Sequence, residues 1–173
     1  MFIARCPTGV GIETLARYPL GGYVLFGRDF ESQSMDQITR TIAAYQKAAD
    51  IPLLIAVDEE GGSVTRIDEC SDFPEAPFLS PRQLFEQGGL PLIETDAVRK
   101  AKMLHTLGVN VNLAPVCDIS RCPDDFMYNR SLGQDAPTTS DFVQKVVHIS
   151  ADQGVGSVLK HFPGYGNSAD THT

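Results

Sequence analysis

The chain has 173 residues, 42% of them hydrophobic and 21% charged, with a formal net charge of -8. That length suits one buried core, so it predicts one domain or part of one. An acidic balance with no Lys/Arg block argues against nucleic acid or an anionic membrane as partner. The longest apolar runs, residues 23–26 and 53–57, are too short to span a bilayer.

Met1 opens straight into an apolar run with no basic leader, which points to a cytoplasmic chain. Residues 2–5 form that start, and residues 9–17 pattern as a helix with Ile12, Leu15 and Ala16 on one face. After Gly21-Gly22, residues 23–26 read as a compact buried strand. Ser32 is placed to cap a helix running through Asp50, with Met35, Ile38, Ile42 and Tyr45 at helical spacing. Ile51-Pro52 ends it, and residues 53–57 make a second all-apolar strand. Residues 59–91, rich in Gly, Pro, Ser and acidic side chains, read as loop. A helix over 93–107 closes at Gly108, strand 109–113 follows, and Ala114-Pro115 ends that strand. A further long loop leads to a helix over 139–153, stopped by Gly154, and the last strand covers 155–159.

Short apolar strands alternating with amphipathic helices predict an α/β fold with a parallel sheet. Loops after the strands are longer and chemically richer than those before them. That asymmetry favours a barrel with its site at the C-terminal face. A complete (β/α)8 barrel takes about 250 residues. The expected fold is therefore a partial (β/α)8 TIM-type barrel of about five βα units, with residues 1–173 as the N-terminal part of a single barrel domain. A five-stranded doubly wound sheet is the alternative, although no dinucleotide glycine fingerprint follows its first strand. Two open barrel edges predict self-association.

The chemistry gathers where strands end. Asp58 follows strand 53–57 and opens Asp58-Glu59-Glu60-Gly61-Gly62, with Arg66 four residues on. An ionised carboxylate there can accept two sugar hydroxyls. Glu59 and Glu60 read as a solvated acidic turn, while Arg66 is placed to return to the same pocket. Arg130 lies in the loop after strand 109–113, with Asp118 as a candidate salt-bridge partner. Lys160 and His161 end the last strand and can donate to hydroxyls. Asp170 and His172, one residue apart, suit a carboxylate that orients an imidazole, although simple surface polarity explains most such pairs. His105 and His148 are explained by their helices. Cys6, Cys70, Cys117 and Cys122 form no CxxC pair and read as free thiols.

In order, Val57-Asp58-Glu59-Glu60-Gly61-Gly62 with Arg66, Leu113-Ala114-Pro115-Val116-Cys117-Asp118, Asn129-Arg130-Ser131, and Lys160-His161-Phe162-Pro163-Gly164 with Asp170 and His172 closely resemble the N-terminal barrel of family 3 glycoside hydrolases. The likeness is to the β-N-acetylhexosaminidase branch; β-glucosidase members lack the Asp-x-His loop. The resemblance implies that Asp58 grips sugar hydroxyls and that Arg66, Arg130, Lys160 and His161 bind sugar. It implies His172 as general acid/base with Asp170 as its dyad partner. Tyr165 departs from the histidine that many relatives carry between the two glycines.

The implied activity is removal of terminal β-linked N-acetylglucosamine by retaining double displacement, with no metal and no cofactor. The family's nucleophile is an aspartate on a later strand, so the expectation is that this chain stops short of it and is silent alone. The expected partner is an N-acetylglucosamine-containing carbohydrate, whether muropeptide, chitin oligomer or glycoconjugate. Rival readings are a non-catalytic sugar-binding fragment, a metal hydrolase using His161, His172 and Asp58, and a family 3 β-glucosidase.

Overall fold

In the computed structural model, which describes residues 2–7, 9–73 and 76–166, five strands lie parallel in the order of the chain. They are β1 (Ile3–Arg5), β2 (Gly22–Leu25), β3 (Leu54–Val57), β4 (Val111–Asn112) and β5 (Gly156–Ser157). Four helices alternate with them: α1 (Gly11–Arg17), α2 (Met35–Ala48), α3 (Pro81–Leu107) and α4 (Ala136–Asp152). A doubly wound sheet reverses its strand order at a switch point, whereas a barrel adds each strand beside the last. The order β1-β2-β3-β4-β5 contains no reversal. The fold is thus an arc of a (β/α) barrel, and the doubly wound alternative falls.

Register follows the apolar runs: Tyr23 pairs with Ile55 and Leu25 with Val57, while Ala56 pairs with Val111. Tyr23, Ile55 and Val57 are fully buried and pack with Ile38, Ile42 and Leu104 from the helices. A second cluster, Leu84, Ile93, Leu132 and Phe142, joins α3 to α4.

Several boundaries differ from the sequence reading. Ser34, not Ser32, caps α2, because Gln37 lies three residues on and completes a reciprocal capping box (Gln37 N to Ser34 Oγ 3.2 Å, Ser34 N to Gln37 Oε1 2.7 Å). Residues 59–91 are not all loop. Ser80 and Gln83 form a second capping box and Pro81 opens α3, which breaks at Gly89 (φ 62°) before continuing. Asp135 caps α4 three residues ahead of the expected start. Ile12 on α1 is exposed, and the helix instead seats Gly11 under the Tyr45 ring, where a Cβ would come within 2.6 Å.

The last strand is shorter than its apolar run. Val158 and Leu159 are exposed, as are Phe2 before β1 and Ile3 within it, because the sheet order ends at β1 and β5 among the described residues. No helix among the described residues is long and apolar enough to cross a membrane.

Candidate active site

The C-terminal ends of β3 and β5 bring residues 102 positions apart into contact: Lys160 Nζ lies 2.6 Å from Asp58 Oδ1. β3 is all-apolar and buried, so its first polar residue, Asp58, emerges at the rim. Lys160 is fixed by its backbone, which extends the β4–β5 pairing through a parallel bridge to Val116 and a hydrogen bond from Cys117 N to Lys160 O (2.6 Å). The Ala114–Pro115, Lys160–His161 and Phe162–Pro163 peptides are cis.

Glu60 corrects the reading of a solvated acidic turn. Its side chain is 1% exposed and sits between two cations. Arg130 grips it side-on, Nε to Oε2 at 2.9 Å and Nη2 to Oε1 at 2.7 Å. Lys160 Nζ lies 2.5 Å from Oε1. Burial pushes the Glu60 carboxyl up, but Arg130 and Lys160 overcome it and hold the group below the usual range.

Asp118 also departs from expectation: it pairs with His161 and not with Arg130. Its Oδ2 lies 2.6 Å from His161 Nδ1 and accepts from His161 N at 3.1 Å, while Oδ1 accepts from Tyr165 N at 2.8 Å. A carboxylate is a pure acceptor, so Nδ1 carries a proton, and in the neutral ring Nε2 is the acceptor. Arg130 Nη2 lies 3.4 Å from that Nε2. Tyr165 packs edge-on to the imidazole at 4.9 Å and is backed by Phe126 at 5.2 Å.

Glu59 is likewise buried, not solvated. Its Oε2 accepts from the backbone N–H groups of Arg66 (2.8 Å) and Ile67 (3.1 Å), tying down the turn that follows. Burial pushes this carboxyl up to about 7, against Lys100 and those two N–H donors, which pull it down. Arg66 does not join the Asp58 cluster. Its guanidinium donates to the Thr65 carbonyl, and its stem lies beside Gly27, beyond the end of β2.

One functional element escaped the sequence reading entirely. Arg82, in the first turn of α3, donates to the carbonyls of Tyr128 and Ser120, both at 2.8 Å, and lies 3.8 Å over the Tyr128 ring. It pins the loop that carries Asp118 and Arg130. The readable signal was the Ser80-Pro81-x-Gln83 capping sequence, which places Arg82 on a helix.

Asp170 and His172 lie outside the described residues. Among the described residues no group of three or more His, Cys, Asp or Glu side chains is arranged to hold a metal ion. What the cluster offers is hydrogen bonding at balanced charge, with carboxylates Asp58 and Glu60 facing cations Lys160 and Arg130. Such a site suits a neutral polyhydroxyl ligand better than an anion, because no uncompensated positive charge is left to attract one.

The sequence matches the glycosyl hydrolase family 3 N-terminal domain over residues 7–173. It is 32% identical over 166 residues to a protein named Beta-hexosaminidase A from Pseudoalteromonas piscicida, covering 93% of this chain and 28% of that one. Against Beta-hexosaminidase LpqI of Mycobacterium tuberculosis, the identity is 32% over 160 residues, 91% of this chain and 40% of the relative. A solved family 3 β-N-acetylglucosaminidase from Paenibacillus sp. superimposes with a TM-score of 0.86 at 27% identity, covering 99% of this chain and 33% of that one. The chain therefore spans well under half the length of these relatives. Because the domain match runs across almost the whole sequence, the chain belongs to glycosyl hydrolase family 3, in its N-terminal domain.

Proposed function

We propose that this chain forms the sugar-gripping part of a β-N-acetylhexosaminidase that removes terminal β-linked N-acetylglucosamine with retention of configuration. The observation that carries the reading is the contact of Lys160 with both Asp58 and Glu60 at the strand ends, with Arg130 locked beside them. The relatives named β-hexosaminidases support the substrate class.

In this reading Asp58 accepts from sugar hydroxyls, and Lys160, Arg130 and His161 donate to or orient the ring. Arg66 contributes from the rim beyond β2. His172, with Asp170 fixing its tautomer, protonates the glycosidic oxygen as a carboxylate attacks the anomeric carbon. It then takes a proton from the water that releases the sugar. Asp58 is paired with Lys160, Glu60 is buried and doubly paired, and Asp118 holds His161. In this reading the nucleophile is a further carboxylate outside the described cluster, as the family resemblance implies.

The test uses the full-length protein on aryl N-acetyl-β-glucosaminides and aryl β-glucosides. Turnover of the first with first-formed β-anomer, and little of the second, is expected. His172→Ala should slow substrates with poor leaving groups far more than activated ones. Equal turnover of both sugars, or equal loss on all leaving groups, would overturn the assignment.

A further inference from the structure

We infer that Glu60 is a positioning residue: it never meets the sugar, and it sets the direction in which Arg130 and Lys160 present their remaining donors. The inference rests on the sugar-binding reading of the cluster.

Exposure separates the two carboxylates. The Asp58 side chain is 22% exposed and that of Glu60 1%, so a ligand in the mouth reaches the first and not the second. Both Glu60 oxygens are already committed, Oε1 to Arg130 and Lys160 and Oε2 to Arg130. Arg130 is held through Nε and Nη2, which leaves Nη1 without a hydrogen bond among the described residues. A two-point grip on a planar guanidinium fixes the plane as well as the place, so Nη1 points one way. Lys160 has three donors and spends two, on Asp58 and Glu60; the third is left for a ligand.

Glu60 is itself anchored. Its carbonyl accepts from Lys100 Nζ of α3 at 2.9 Å, and Lys100 lies 3.5 Å from Asp96. The following residue, Gly61, has φ 102° and passes so close to Leu79 that a Cβ would come within 2.1 Å of its carbonyl. Neutralising Arg130 needs a negative charge nearby, but not a two-oxygen fork on an anchored backbone. The fork and its anchoring serve orientation.

The experiment measures binding of N-acetylglucosamine to the full-length protein by calorimetry, for wild type, Glu60→Gln, Glu60→Asp, Arg130→Met and the Glu60→Gln/Arg130→Met double variant. Glu60→Gln should weaken binding about ten- to a hundredfold. The double variant should lose less than the product of the two single losses, because part of the effect of Glu60 runs through Arg130 and only the part that runs through Lys160 remains to be lost. Glu60→Asp keeps the charge and the buried pair but withdraws the oxygens by one methylene, so it should not restore affinity. Multiplying losses in the double variant, or full rescue by Asp, would overturn the proposal. Nitrogen-15 NMR of the Arg130 Nε–H reads the fork without any sugar. Slow exchange in wild type, lost in Glu60→Asp, is expected; fast exchange in wild type overturns the proposal. Wild type that fails to bind the sugar while keeping that protection would sink the sugar reading and leave the fork standing.

Discussion

Arg82 lies over Tyr128, its guanidinium carbon 3.8 Å from the ring centroid, while two of its nitrogens hold the carbonyls of Tyr128 and Ser120. One helical side chain thus closes the loop from residue 118 to 131, and with it fixes the acid that orients His161 and the base that meets Glu60. Gly133 follows at φ 76°, pressed so close that a Cβ would meet the guanidinium at 2.3 Å.

Arg82→Ala in the full-length protein should therefore lower stability by about 3 kcal/mol, from lost charged hydrogen bonds and stacking. It should also weaken N-acetylglucosamine binding, because the loop that carries Asp118 and Arg130 is no longer pinned. Lysine cannot reproduce a planar fork and a stack together, so Arg82→Lys should recover less than half of either loss. Thermal denaturation and calorimetry on the three proteins check this. Full recovery by lysine would show that only the charge matters.

Asp118 and His161 give a second expectation. With carboxylate replaced by amide in Asp118→Asn, the amide oxygen takes the Oδ2 place, where His161 N and Nδ1 both donate, so the NH2 group faces the Tyr165 N–H, donor against donor, and His161 loses its charged partner. Sugar affinity should fall about tenfold. The imidazole nitrogen shifts of His161 should report protonated Nδ1 in wild type and a change in the variant. A wild-type imidazole protonated only on Nε2 would refute this geometry.

Much of the architecture was legible because it is local. Apolar runs at 23–26 and 53–57, Gly108 at a helix end and Gly154 after another each announce themselves within a few residues. Asp58 was legible by position as the first polar group beyond a buried strand, and Lys160 as the polar group that ends an apolar run. Glu60 was not, because two adjacent glutamates before Gly61-Gly62 look like an exposed turn. What buries Glu60 is Arg130 and Lys160, 70 and 100 residues away, and no local pattern encodes that pairing. Asp118 was given to Arg130 for the same reason: charge names a partner class, and only the fold chooses between His161 and Arg130. The start of α3 was legible and missed, since Gly88-Gly89-Leu90-Pro91 masked a capping box ahead of it.

The sheet edges yield a third expectation. Phe162 is 99% exposed and Val158 and Leu159 about half so, next to the side of β5 that has no partner strand among the described residues. Open edges and uncovered apolar side chains favour pairing with another chain. The 173-residue chain alone should show an apparent mass that rises with concentration in light scattering. Val158→Lys with Phe162→Ser should reduce that rise. A concentration-independent monomer would remove the argument.

Glu59 supplies the pH expectation. Its carboxyl is buried, with Oε1 lacking a hydrogen-bond partner among the described residues and Oε2 held by the Arg66 and Ile67 amides. Burial raises it from 4.5 to about 7; Lys100 and the two amides oppose that rise, and Asp68 adds to it. A folded-state value above the unfolded one means the native state binds more protons between those limits. Stability from this group is therefore fully present below about 4.5 and is lost as pH rises through about 7. The full displacement corresponds to about 3 kcal/mol. Glu59→Gln keeps an acceptor for both amides and cannot ionise, so its stability relative to wild type should improve by up to that amount between pH 5 and pH 8. Urea denaturation of both proteins at the two pH values measures the gap. A gap that stays constant would mean Glu59 is already ionised in the folded protein at pH 5, and a gap that moves in favour of wild type would reverse the sign of the argument.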